Sequence, residues 1–303
     1  MIRRGPQGGR RCPGTRVKGR AVAVLVLAAA GIAACGGESG ESSEPVSGVG
    51  DPGPIHVHGL GVNPADRALF IATHTGLFRS PRGDRDADRV KDRFQDIMGF
   101  TVVGPDRFLG SGHPDGRDRL PPFLGLLHST DAGRSWEPVS LLGKRDFHVL
   151  EAAGPRIYGY GTDYDSREAN LLVSDDGGRG WQERTPPEPL LSLAIDPDDP
   201  DRVVASGEEA SYSSSDAGRG WRPLGDQSGL LAWPRADSLF LVRLDGSVVR
   251  SADRGLSWQQ TGDIDGQPAA FEIADAELYV ALHDGTIKRS ADGGQNWRVR
   301  SRP

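Results

Sequence analysis

The 303-residue chain holds seven histidines, and six of them are spaced so that they could meet. His56 and His58 alternate, and alternate residues of an extended strand share a face. Six short apolar runs recur along the chain, and the residue after each is, in order, His74, His113, Thr162, Glu208, Leu244 and His283. His148 stands at the corresponding start of another run, and only His128 is expected to face away. Imidazole suits zinc or copper, and a thioether such as Met98 would shift a site towards copper. His56, His58, His74, His113 and His283 are therefore the candidate metal ligands. The same rim could instead bind a small molecule or glycan, with His113, His148, Glu208 and Arg243 facing it. An H-x-H pair alone does not separate the two readings.

A second set of residues could do acid–base work. Tyr164 lies between Asp163 and Asp165, Glu208 is followed by Glu209, and Arg117, Arg119 and Arg243 fall in the same stretches of each unit. Paired carboxylates whose environments split their pKa values can act as acid and base. Tyr164, Glu208 and Asp163 are the catalytic candidates, and their alternative is a solvated loop.

These residues are positioned by a repeat. Five segments share the form S-x-D-x-G-x-x-W: Asp131 with Trp136, Asp176 with Trp181, Asp216 with Trp221, Asp253 with Trp258, and Asp292 with Trp297. The tryptophans are 45, 40, 37 and 39 residues apart and make up five of the chain's six. Such a segment suits a tight turn, in which Ser and Asp bond the backbone, Gly takes positive φ and Trp is buried. A sixth, degenerate unit comes first, with Gly76–Ser80 followed by a decayed turn at 81–89. Residues 55 to 303 divided by six give about 41 per unit, the size of a four-stranded propeller blade. The expected fold is all-β, a six-bladed β-propeller. Its blades are expected at about 55–98, 99–144, 145–187, 188–226, 227–263 and 264–303, closed without an exchanged strand.

The repeated form resembles the Asp-box, or BNR repeat, of sialidase-like and sortilin-type β-propellers. That resemblance implies a structural role for the five Asp and Trp pairs. It also implies a binding mouth on the face opposite those turns, where the histidines fall. It raises exo-sialidase activity, for which the family uses an arginine triad, a Tyr–Glu pair and an Asp acid/base. The first arginine normally lies in an R-I-P motif, and at that position the chain reads Ile55-His-Val-His-Gly-Leu60 instead. As a whole, 55–303 is similar to bacterial exported BNR-repeat proteins described as glycosyl hydrolase-like, a resemblance that assigns no catalytic set. A further relative by repeat, the photosystem-assembly-type propeller, implies a protein-docking scaffold.

The N-terminus reads as an address. Residues 1–34 carry seven cations and no carboxylate, then the apolar run Ala21–Gly31, too short to span a membrane. Ile32-Ala33-Ala34-Cys35 resembles the lipobox of bacterial lipoproteins, which implies cleavage before Cys35, lipidation of Cys35 and an exported protein anchored to the outer side of the cell membrane. Cys12 would leave with the leader, so no disulfide is expected. Residues 35–54 read as lipidated Cys and flexible linker. Without the leader, 29 cations face 42 carboxylates, a net of −13. A body so acidic argues against nucleic acid as a partner and is compatible with a cation.

Overall fold

Short runs rich in β-branched, aromatic and leucine side chains, cut by glycine and aspartate turns, cannot propagate helix and pair instead as hairpins. The computed structural model describes residues 53–54 and 56–302. The expected leader, Cys35 and the linker as far as residue 52 lie outside the described residues, as does Ile55. Twenty-four strands form six antiparallel four-stranded sheets, and no helix occurs among the described residues.

Blade 1 holds β1 (Val57–Val62), β2 (Leu69–Thr73), β3 (Gly76–Ser80) and β4 (Asp88–Arg89), and blade 2 holds β5 (Asp96–Gly104), β6 (Arg107–His113), β7 (Leu126–Ser129) and β8 (Glu137–Ser140). Blade 3 is built from β9 (Arg145–Ala153), β10 (Arg156–Asp163), β11 (Ala169–Ser174) and β12 (Gln182–Arg184), and blade 4 from β13 (Leu190–Asp196), β14 (Asp199–Gly207), β15 (Ser211–Ser214) and β16 (Arg222–Gly225). Blade 5 comprises β17 (Gly229–Arg235), β18 (Ser238–Arg243), β19 (Ser247–Ser251) and β20 (Gln259–Asp263), and blade 6 comprises β21 (Pro268–Ala274), β22 (Glu277–Leu282), β23 (Ile287–Ser290) and β24 (Arg298–Ser301). Every sheet pairs its strands in chain order, so none is exchanged. The inner strands β1, β5, β9, β13, β17 and β21 touch in sequence, and β21 returns to β1, closing a six-bladed β-propeller.

Packing is between blades, as apolar faces on both sides of each sheet require. There are six apolar clusters, one at each junction of neighbouring blades. Trp136, Trp181, Trp221, Trp258 and Trp297 each pack against the cluster their blade shares with the preceding one. The turn behind each Trp repeats one pattern: Gly178 N–H donates to Ser174 Oγ at 2.9 Å, Ser174 Oγ–H donates to Asp176 Oδ1 at 2.8 Å, and Gly180 N–H donates to the same carboxylate oxygen at 2.8 Å.

Two departures from the simple strand pattern matter for the site. Blade 2 starts at Asp96, three residues before the position expected from the repeat length. The inner strands of blades 1, 2 and 3 each carry a bulge that leaves His58, Met98 and His148 without a cross-strand partner. A bulged residue breaks the alternation of faces and is free to aim its side chain at the rim.

Candidate metal centre

In an antiparallel blade the start of the first strand, the end of the second and the start of the third share one end, while the S-x-D-x-G-x-x-W turns, between third and fourth strands, lie at the other. His56 and His58 at the head of β1, His74 just after β2, Asp96 opening β5, His113 ending β6, and Asp146 and His148 in β9 therefore meet at one mouth. His56 reaches it with a positive φ of 52°, outside the strand proper.

The side chains form one chain of contacts. The His58 ring meets His74 edge-on at 4.4 Å between centroids, and His56 lies 5.1 Å from His74 on another side. Asp96 Oδ2 receives His74 Nδ1 at 2.9 Å and His113 Nδ1 at 3.1 Å. The other ring nitrogen of His113 faces Asp146 Oδ2 at 3.5 Å, and His148 Nε2 reaches that oxygen at 3.0 Å. His58 Nε2 and Asp96 Oδ1 face each other at 4.0 Å, and both are buried without a hydrogen-bond partner. One donor atom each from His58, His74 and Asp96 lies within 4.8 Å of the other two.

The electrostatics follow the burial. Desolvation, reinforced by the His74 charge, pushes His58 down to about 4, so its ring is neutral and has a free lone pair near neutral pH. Burial alone would push Asp96 up, but hydrogen bonds from His113 and His74 more than offset it and hold the carboxyl below its ordinary range. The Asp96 hydrogen bond raises His113. A neutral imidazole, a carboxylate and a second imidazole make a donor set that suits zinc or copper, with no thiolate.

Other residues singled out by the sequence stand outside that group of three. His283, in the turn after β22, is exposed and is not part of the His58–His74–Asp96 group; nor are Met98 and His56. Asp163 caps its own loop, accepting the N–H groups of Asp165 at 3.0 Å and Ser166 at 2.9 Å, and pairs with Arg145 at 3.2 Å. Tyr164 stacks edge-on against Phe123 at 5.4 Å under Arg167, and Phe123 in turn meets the His113 ring at 5.6 Å. Arg243 is taken up by Gln227 and Ser247 within blade 5, and Glu208 is exposed. Arg117 is bound to Asp115 and Asp92, pinning the long β6–β7 loop. Asp96 and Asp146, central to the geometry, were not among the sequence candidates. The signal that could have found them is their alignment: each stands two residues before a bulged position, the same place that His56 holds in blade 1.

No family model matches the chain. The dispase autolysis-inducing protein of Streptomyces mobaraensis is 29% identical over 101 residues, a third of this chain and about a quarter (26%) of that protein. Among solved structures, a GH74 xyloglucanase from Xanthomonas campestris superposes with a TM-score of 0.52 at 18% identity, covering 83% of this chain and 46% of the other. YCF48 from Cyanidioschyzon merolae superposes with a TM-score of 0.48 at 15% identity over 82% of this chain and 86% of its own. At 18% identity the likeness to the xyloglucanase is one of fold alone, that of a β-propeller.

Proposed function

We propose that this protein is an exported, lipid-anchored β-propeller that takes up a transition metal, zinc or copper, at its mouth through His58, His74 and Asp96. One observation carries the reading. His58 Nε2 and Asp96 Oδ1 are buried, unpartnered and 4.0 Å apart. Ligand atoms about 2.0–2.1 Å from a tetrahedral ion lie about 3.3–3.4 Å apart, so a closure of about half an ångström would let a single ion satisfy both. Leaving them bare costs about 1–3 kcal/mol each in desolvation, which binding would recover.

Zinc and copper titrations of the purified chain, followed by calorimetry, test this reading. The expected result is binding that weakens at least tenfold in His58→Ala; no binding, or unchanged affinity in that variant, overturns it. Turnover of a fluorogenic sialoside that is abolished by Glu208→Gln would favour a glycosidase instead. The anchoring part is supported by the cationic leader, the short apolar run and Cys35. Palmitate labelling in a bacterial host should be lost in Cys35→Ala, and labelling that persists removes it.

A further inference from the structure

We infer that the seam between blades 6 and 1 binds a phosphate monoester group, on the face opposite the histidine mouth. At each of the other five junctions a turn tryptophan packs on the apolar cluster, and at this one none does. A cavity of about 330 Å³ opens there beside Leu69 and Tyr279 of the junction's own cluster. Five arginines line it: Arg67 from the turn between β1 and β2, Arg82 and Arg85 from the decayed turn between β3 and β4, Arg289 of β23 and Arg300 of β24. Such a cluster runs against the charge of the body, where 29 cations face 42 carboxylates.

The charges in the cavity do not cancel. Arg289 pairs with Glu277 and Arg67 with Asp275, whereas Arg82, Arg85 and Arg300 form no ion pair among the described residues. The one carboxylate left in the lining, Asp84, accepts the backbone N–H groups of Arg85 at 2.7 Å and Asp86 at 3.2 Å within its own turn. Three cations against one anion leave an excess of two. Arg300 is half-buried and donates to neutral acceptors, Ser80 and the Pro81 carbonyl, which leave part of its five N–H groups unused. Burial pulls it below its ordinary pKa, a cost that a bound anion would offset. A phosphate monoester is close to a dianion at neutral pH and carries three acceptor oxygens, so it matches the excess, while a carboxylate brings half that charge. Guanidinium forks suit those oxygens. A second hollow of about 570 Å³ adjoins the first, shares Arg85, Arg289 and Arg300, and is walled by Trp297 and Val299, which gives the organic part of the ester an apolar surface.

Calorimetric titration of the full chain with phenyl phosphate tests the site. The buffer holds a chelator and no phosphate or sulfate, so that no ion at the mouth can hold the anion, and the outcome is independent of the metal reading. Phenyl phosphate should bind at one equivalent, and benzoate should bind at least about tenfold more weakly. Lowering the pH from 7.5 to 5 adds a proton to the phosphate, whose second pKa is about 6, and should weaken its binding further than that of benzoate. Arg82 and Arg85 are exposed, so the double variant Arg82→Gln, Arg85→Gln keeps the fold and should lose about tenfold or more in affinity. Unchanged affinity in that variant overturns the site, and benzoate binding as tightly as phenyl phosphate overturns the phosphate assignment. Cosedimentation with phosphatidic acid vesicles, lost in the double variant, identifies a lipid headgroup where phenyl phosphate itself does not bind. Binding of neither overturns the inference.

Discussion

At the scale of single residues, the site turns on two imidazoles that share a carboxylate and are driven in opposite directions. Burial depresses His58 to about 4, whereas the hydrogen bond to Asp96 raises His113. The sign of each contribution follows from linkage. His58 adds stability that is full above its unfolded pKa of about 6.5 and is lost as pH falls towards 4. His113 adds stability that is full below about 6.5 and is lost as pH rises through its folded value. Because the two oppose each other, a melting curve against pH blurs them. Imidazole NMR of the metal-free chain resolves them: His58 should stay neutral down to about pH 4, and His113 should titrate above 6.5. A His58 resonance titrating near 6.5 would show that its burial is not as described. The histidines were legible in the sequence because a rare residue type recurred in one aligned column. Asp96 and Asp146 were not, since 42 acidic residues supply no contrast and Asp96 fell in three residues counted with blade 1.

At the scale of the elements, the acidic pair depends on glycine in the strand behind it. Gly112 of β6 and Gly161 of β10 each precede the last residues of a second strand, and a Cβ at either would overlap the backbone carbonyl oxygen of Asp96 or Asp146 respectively. The bulged inner strand can therefore settle onto its neighbour in blades 2 and 3, turning the aspartate side chain towards the mouth. Gly161→Ala should push β9 outward, cost about 1–3 kcal/mol in urea unfolding, and pull Asp146 away from His113 and His148. Gly116→Ala, where an added Cβ meets nothing within 4 Å, is the control and should change stability by less than about 0.5 kcal/mol. Equal effects from both substitutions would dismiss the role assigned to Gly161. Second strands and turns were readable from the sequence, because each repeats a short apolar run ended by a patterned turn. Bulges were not, because an extra residue in one strand leaves composition and spacing almost unchanged and is set by pairing with the next strand.

At the scale of the whole ring, closure and the central channel are properties that no single repeat encodes. The junction of blade 6 with blade 1 has no tryptophan, since the turn that would supply one has decayed, and Ala87 packs there instead. Arg300 and Ser301 of β24 compensate by bonding across the seam: Arg300 Nη1 donates to Ser80 Oγ at 3.0 Å and Nη2 to the Pro81 carbonyl at 2.7 Å, and Ser301 Oγ–H donates to the Arg85 carbonyl at 2.8 Å. Closing the ring also brings Glu151 of β9 and Glu272 of β21 to one channel between the inner strands. Desolvation pushes both carboxyls up to about 8, and for Glu151 the Glu272 charge adds to it. An acid whose folded pKa exceeds its unfolded value of about 4.5 keeps its proton in the folded state after the unfolded chain has lost it, so stability falls as pH rises from about 4.5 to about 8. Each such group contributes a slope of at most about 1.4 kcal/mol per pH unit, reduced where channel water screens the charge. Glu272→Gln removes one titrating group and the repulsion on the other. Urea unfolding of the metal-free chain between pH 5.5 and 8.5 should therefore show a shallower decline in this variant, with a gain of at least about 1 kcal/mol at pH 8 that shrinks towards pH 5.5. A gain that does not change with pH would mean that glutamine improved packing alone and that the two carboxyls do not titrate together across the ring.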